Sequence, residues 1–188
     1  MPYSTFQEYL HLYIHHIDLL RMMVIAILSL AFFVFLLIRN KTAVYASIAL
    51  ALSFFFCLFL VDSMVLIRFS ETTPYSTGFD FQAEFNRIFH STKDERAQIL
   101  FNVIAFVPLG FFLSEFYSTA WGLDVKQIIC FVLKVSLGLS VCIEALQLFF
   151  HLGLFELTDM VMNTFGALIG ASVSISILAL LSSNKGRF

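Results

Sequence analysis

Charged residues, cysteine, proline and glycine are all scarce in this chain. Charged side chains make up 13% of the 188 residues, whereas a soluble globular domain carries about 25%. The 11 basic and 13 acidic residues nearly balance, which excludes the basic stripe of a nucleic-acid-binding protein. The 3 cysteines all lie in apolar runs, so we expect neither a disulfide framework nor a tetrahedral metal site. With only 3 prolines and 8 glycines, the chain is not a disordered low-complexity protein.

Hydrophobic residues are correspondingly abundant in this chain. They make up 60% of the chain, which includes 24 phenylalanines, and the mean hydropathy is +0.90. At roughly 20 apolar residues per crossing, this composition predicts an all-α polytopic membrane helical bundle. We expect a single membrane domain, residues 1–188, with about five transmembrane helices. The predicted spans are Leu19–Ile38, Thr42–Ile67, Ile99–Tyr117, Gln127–Phe150 and Thr158–Leu181.

Two segments outside these spans have patterns of their own. Residues 1–18 alternate apolar and polar faces at helical spacing, which predicts an amphipathic helix in the membrane interface. His11 and His15 are four residues apart there, but a metal site needs a third ligand, so we expect a hydrated helical face and no bound metal. Residues 69–97 form the one sizeable loop, and its phenylalanines predict that it packs on the membrane surface.

The polar residues inside the predicted spans fall into one layer. A charged side chain at the centre of a bilayer costs about 2.5 kcal/mol or more, so each needs a reason. Successive spans cross the membrane in alternating directions. The second and fourth spans therefore end at the same membrane face at which the third and fifth spans begin. The polar residues near those four ends are Asp62, Asn102, Glu144, Gln147, Asp159 and Asn163.

Helical spacing predicts that these residues face the inside of the bundle. One stripe on the fourth span contains Ser140, Glu144, Gln147 and His151, and one on the fifth contains Asp159, Asn163, Gly166 and Gly170. Residues three or four positions apart share a helix face, and glycines four apart let another helix approach closely. Elsewhere we expect Pro108 to kink the third span, Glu115 to be interfacial, and Lys134 to reach toward the opposite interface.

The short linker between the fourth and fifth spans makes these two helices antiparallel neighbours. We therefore expect Asn163 to bond to Glu144 or Gln147, with a protonated Glu144 donating to Asn163. We also expect Thr158 or Asp159 to cap the start of the fifth span.

The polar layer has two interpretations at this point. Buried polar side chains often join membrane helices through hydrogen bonds, and the layer would then be structural. Alternatively, it receives the head group of a ligand. Asp62, Glu144 and Asp159 have no basic partner in their own spans, so we expect at least one to be protonated or paired with Arg68, Arg96 or a ligand cation.

Three stretches resemble sequence blocks of VanZ-like membrane proteins, and the resemblance covers residues 99–175. We expect residues 99–181, which contain spans three to five, to form a VanZ-like core. The blocks read N-x-x-x-F-x-P-L-G, I-E-x-x-Q and D-x-x-x-N-x-x-G-x-x-x-G. Their order and spacing make the resemblance specific, although an Arg frequent in the family between the second and third blocks is replaced here by Gly153 or a neighbour. The matching residues are Asn102, Phe106, Pro108, Leu109 and Gly110; Ile143, Glu144 and Gln147; and Asp159, Asn163, Gly166 and Gly170.

The resemblance implies an envelope protein of the bacterial plasma membrane that gives low-level resistance to the glycopeptide teicoplanin. We expect it to bind a lipid-linked envelope precursor, a lipoglycopeptide or another lipophilic ligand, in contact with membrane lipids and without a cofactor. An alternative is an enzyme that acts on an envelope lipid or a polyprenyl-linked substrate, with Glu144 or Asp159 as acid or base. A third is an ion or proton carrier.

The orientation follows from basic residues in the short segments between spans. Both sides of the predicted topology carry five, but one set lies in shorter segments with a single acid, Asp124. The positive-inside rule therefore favours an outer N-terminus and a cytoplasmic C-terminus. The polar layer would then lie near the outer face. The set in the shorter segments is Arg39, Lys41, Lys126, Lys185 and Arg187.

Overall fold

The computed structural model describes residues 22–29, 31–32, 44–66, 92–153 and 155–185, and the regular structure in these ranges is helical. Residues 22–29 and 31–32 are helical and belong to the first predicted span. Helix α1, Val44–Val61, continues into a π-helical turn, Asp62–Leu66. The other helices are α2, Lys93–Trp121, α3, Val125–Phe149, and α4, Leu157–Lys185.

Four helices among the described residues are long and apolar enough to cross a membrane. They correspond to the second through fifth predicted spans, which confirms the all-α membrane bundle. Much of the first span, all of the predicted interfacial helix with His11 and His15, and most of the 69–97 loop lie outside the described residues. The four candidate spans are Val44–Val65, Glu95–Trp121, Val125–Phe149 and Leu157–Leu180.

Helix α2 begins earlier than the sequence pattern predicts. We placed residues up to 97 in the loop, but the helix starts at Lys93. The Thr92 side chain accepts a hydrogen bond from the Glu95 amide, and the Glu95 carboxylate accepts one from the Thr92 amide. This reciprocal capping box satisfies two free amides at the helix start. The helix then runs through Pro108 to Trp121 without interruption.

The closest helix contact joins α2 and α4, which form the most extensive interface in the described chain. A Cβ atom on Gly166 would overlap the backbone carbonyl of Val103, and one on Gly170 would overlap that of Val107. A Cβ on Gly110 would likewise overlap the Ala167 carbonyl. The pairing of 166 with 103 and 170 with 107 shows that the two helices run parallel. Glycine at these positions therefore permits backbone contact between them.

An apolar zone occupies the middle of the bundle. Phe106 and Leu109 of α2 are fully buried against Ala167 and Ala171 of α4. Helix α1 packs on the same core, and its Phe56 stacks on Phe112 of α2 with ring centroids 5.8 Å apart. Buried residues of α1 to α4 all contribute to this apolar zone, which therefore joins the four helices.

Tight connections fix how the last three helices follow one another. Gly122 adopts a left-handed conformation with φ of 60° and its amide donates to the Ser118 carbonyl, while Asp124 caps α3. At the end of α3, the Leu152 amide donates to the Gln147 carbonyl and the His151 amide to that of Leu148. This pair of backbone hydrogen bonds is the Schellman motif, which needs a residue in the left-handed conformation. His151 supplies it with φ of 58°.

The same turn corrects one sequence prediction. We placed His151 on the polar stripe of the fourth span, but it lies beyond the end of α3 and its side chain is exposed. A residue in the left-handed conformation no longer follows the helical rotation of 100° per residue. The stripe on α3 therefore ends at Gln147.

Candidate functional site

All six predicted site residues are buried, with 1% to 6% of their surface exposed. They lie at the end of the bundle where α1 and α3 finish and α2 and α4 begin. We call Asp62, Asn102, Glu144, Gln147, Asp159 and Asn163 the polar layer. Their burial agrees with the predicted inward-facing stripes, while their role in binding stays a prediction.

A hydrogen bond between α3 and α4 fixes Asn163. Its Nδ2 atom donates to the Ser140 hydroxyl at 2.8 Å, and both side chains are buried. We predicted Glu144 or Gln147 as the partner, and the structure places the contact one turn deeper. The Asn163 Oδ1 atom accepts no hydrogen bond, so the predicted donation from a protonated Glu144 is wrong.

Gln147 joins α3 to the π-helical turn of α1. Its Nε2 atom donates to the Met64 carbonyl at 2.8 Å in a buried contact. A π-helical turn displaces carbonyls from the regular i→i−4 pattern, and a side-chain donor can then satisfy one of them. Asp62 begins this same turn. The sequence pattern predicted an unbroken helix to Ile67 and so gave no signal for this contact.

Glu144 is anchored by the connection between α3 and α4. Its Oε2 atom accepts a hydrogen bond from the Glu156 amide at 2.8 Å. That amide immediately precedes α4, so the carboxylate lies beside the positive end of the helix dipole. Asp159 lies in the first turn of the same helix. We predicted Thr158 or Asp159 as its cap, but the helix already begins at Leu157, and both residues lie inside the first turn.

Two amide atoms of the polar layer lack any hydrogen-bond partner within the described chain. They are the Nδ2 atom of Asn102, a donor, and the Oδ1 atom of Asn163, an acceptor. Asn102 lies one residue before Val103, which meets Gly166 of α4. The two amides are therefore at similar depth in the bundle. Because a buried polar atom without a partner costs about 1–3 kcal/mol, their presence calls for an explanation.

Glu115 forms a second buried polar site that sequence analysis missed. We predicted an interfacial side chain, but only 3% of its surface is exposed. Its Oε1 atom accepts from the Ser174 hydroxyl at 2.7 Å and its Oε2 atom from the Tyr45 hydroxyl at 2.9 Å. Three helices therefore meet at this carboxylate. Glu115 follows Asn102 by 13 residues, about 20 Å along α2 at 1.5 Å per residue, so it is not part of the polar layer.

No lysine or arginine among the described residues up to 180 is buried. Arg96 is exposed in the first turn of α2, and Arg68, the other predicted counter-charge, lies outside the described residues. No group of three or more His, Cys, Asp or Glu side chains within the described ranges could hold a metal ion. Hydrogen-bonding carboxylates and amides are thus the chemistry that the layer offers.

The sequence blocks that contribute these residues coincide with a known family. The VanZ/LLP1 family model matches residues 54–179, which covers the C-terminal part of α1, all of α2 and α3, and most of α4. The chain belongs to the VanZ/LLP1 family. The match confirms the resemblance and extends it beyond residues 99–175 into α1. No curated protein and no solved structure matches the chain. Together with the four apolar helices, the family makes this VanZ/LLP1 member a multi-pass membrane protein.

The bond between Asn163 and Ser140 is testable by a double-mutant cycle. We expect Asn163→Leu and Ser140→Ala to show a coupling free energy of about 0.6 kcal/mol, and at most about 1.7 kcal/mol, as for other interhelical bonds in membranes. The measurement is the unfolding free energy in detergent. Ser136→Ala is the matched control, because the Ser136 hydroxyl bonds to Leu133 of its own helix. Equal coupling of Asn163 to Ser136 and Ser140 would contradict the assignment.

Proposed function

We propose that this VanZ/LLP1 protein is an envelope protein of the bacterial plasma membrane whose polar layer binds the head group of a lipid-linked precursor or a lipophilic ligand such as a lipoglycopeptide. By doing so it lowers sensitivity to teicoplanin. One observation carries the proposal: a buried donor on Asn102 and a buried acceptor on Asn163 lack partners inside the described chain. A ligand that offers both an acceptor and a donor satisfies them together.

The charges of the layer favour a particular head group. Asp62, Glu144 and Asp159 are buried acids. Carboxylates accept hydrogen bonds from hydroxyl, amide or ammonium groups, so the layer favours a head group that carries such donors. Sugars and amino groups of an envelope precursor or a glycopeptide meet this requirement.

The proposed orientation brings the layer to the side where such ligands occur. With the N-terminus outside and the C-terminus cytoplasmic, the ends of α1 and α3 and the starts of α2 and α4 lie at the outer face. This orientation rests on the basic residues of the short segments. A lipid-linked ligand could then enter the layer from the outer leaflet.

Deletion and complementation in the native host test the resistance role. We expect the deletion to increase teicoplanin susceptibility, and Asp159→Asn to restore resistance no better than the empty vector. The substitution keeps the side-chain shape but removes a buried acid. Asp124→Asn is the control, because Asp124 is an exposed helix cap and asparagine caps helices equally well. Membrane levels and melting of both variants should match the wild type.

Two outcomes would redirect the proposal. Unchanged susceptibility after a clean deletion removes the resistance role. Conversion of a polyprenyl-linked precursor by the purified protein, lost in Glu144→Gln but with binding retained, assigns the polar layer to catalysis instead. Binding without conversion, lost in Asp159→Asn, supports the ligand-binding role.

A further inference from the structure

Lys134 is a cation on the outside of the bundle and far from the ends of its helix. It lies nine residues after Val125, about 13 Å along α3 at 1.5 Å per residue. Its side chain is exposed. The ammonium nitrogen lies 5.7 Å from the centroid of the Phe131 ring, which is nearer the start of the helix. The side chain therefore extends toward the nearer interface, as predicted for a lysine that keeps its charge out of hydrocarbon.

The described residues supply no counter-charge for this ammonium. The only interaction of Lys134 within the described chain is with the Phe131 ring. The acids in the interior of the described spans, Asp62, Glu115, Glu144 and Asp159, are all buried. A cation–π contact at the exposed surface recovers only part of the free energy that the ammonium loses on leaving water. An external anion at this depth would complete the neutralisation.

The surface of α3 lacks a side chain one helical turn deeper on the same face, and we call this gap the notch. Gly138 follows Lys134 by four residues and is exposed, and a Cβ atom there would meet no other atom within 4 Å. No close helix contact explains this glycine, unlike Gly166 and Gly170. Glycine is also a poor residue for the middle of a helix. The open space at Gly138 lies deeper in the span than the ammonium, in the direction in which an acyl chain extends from its head group.

We propose that Lys134 and Gly138 form a binding site for an anionic phospholipid, with the phosphate at the ammonium and an acyl chain along the notch. Trp121 lies at the rim of this site, 57% exposed, with its ring centroid 6.0 Å from that of Phe131. Aromatic side chains of this kind occupy the level of the head groups. The site is on the lipid-facing surface of α3, separate from the polar layer.

A second copy of the chain fits this surface less well than a lipid. A symmetric dimer through this face would place two Lys134 ammonium groups near each other. The described carboxylates in the interior of the spans are buried, so a neighbouring copy could not present one of them to Lys134. A lipid phosphate combines the required charge with an apolar chain.

The single tryptophan of the chain reports on the site directly. The protein is reconstituted in bilayers of phosphatidylcholine with increasing phosphatidylglycerol, either lipid being brominated near the head-group end of its chains. We expect quenching of Trp121 to show about a fivefold preference for phosphatidylglycerol, corresponding to about 1 kcal/mol per basic residue. About 1 M salt reduces the Debye length to about 3 Å. It therefore screens the attraction between anionic lipids and the basic side chains that are exposed to water.

Variants measured at high salt separate the site from general charge. Lys134→Gln should lose the preference, Lys134→Arg should keep it, and Gly138→Leu should weaken it by filling the notch. Lys126→Gln, in the exposed first turn of the same helix, should match the wild type. A preference unchanged in Lys134→Gln overturns the proposal. So does equal competition by inorganic phosphate, which would indicate a free-ion site, or a change in oligomer mass in Lys134→Gln, which would indicate a second copy.

Discussion

Adding one methyl group at each of Gly166 and Gly170 is expected to separate α4 from α2. The new Cβ atoms would overlap the carbonyls of Val103 and Val107, and the one on Gly170 would also lie 2.8 Å from the Phe111 amide nitrogen. These are backbone atoms inside a helix, so no side chain can rotate away. Overpacking costs about 1–3 kcal/mol per site. The double alanine variant should therefore lose about 2–6 kcal/mol, a large part of the 5–15 kcal/mol typical of a folded protein.

Gly138→Ala is the matched control for the glycine variants. It adds the same atom to a helix of the same bundle, but at a position with nothing within 4 Å. Because alanine is a better helix former than glycine by about 1 kcal/mol, this variant should melt at or above the wild-type temperature. The measurement is the melting temperature of each variant in detergent, compared with that of the wild type. A double variant that melts with the wild type would show that α2 and α4 do not touch at these residues.

The stripes on α3 and α4 could be predicted because helical periodicity alone determines them. Asp159, Asn163, Gly166 and Gly170 share a face in any α-helix, and their depth follows from counting residues between apolar runs. The partner of that face could not be predicted. Because successive spans alternate in direction, α2 and α4 must run in the same direction. Only the folded bundle shows that α4 approaches α2 at Val103 and Val107.

Contacts that depend on local departures from helix geometry could not be predicted from the sequence. The π-helical turn at Asp62–Leu66 exposes the Met64 carbonyl to Gln147, and no residue pattern in that apolar run marks it. Glu115 was placed at the interface because the predicted span ended at Tyr117, but α2 continues to Trp121. Its partners Tyr45 and Ser174 come from two other helices, so neither lies at a predictable spacing.

Asn102→Leu is expected to abolish teicoplanin resistance without weakening the fold. The Nδ2 atom of Asn102 is buried and has no partner in the described chain, so an apolar side chain of similar size removes an unsatisfied donor. The unfolding free energy should stay constant or rise by about 1 kcal/mol. Binding should nevertheless fail, because the donor that the ligand needs is gone. Resistance of the complemented deletion strain and melting of the purified variant are the two measurements.

Asn163→Leu is the comparison that separates a ligand site from a structural network. Asn163 donates to Ser140, so its loss should lower stability by about 0.6–1.7 kcal/mol, whereas loss of Asn102 should not. If the polar layer only joins helices, the unpaired donor of Asn102 contributes nothing to it, and a strain that carries Asn102→Leu should remain resistant. A binding site predicts the reverse, a more stable protein in a susceptible strain. Opposite signs of stability and function at Asn102 are thus the signature that a purely structural layer cannot produce.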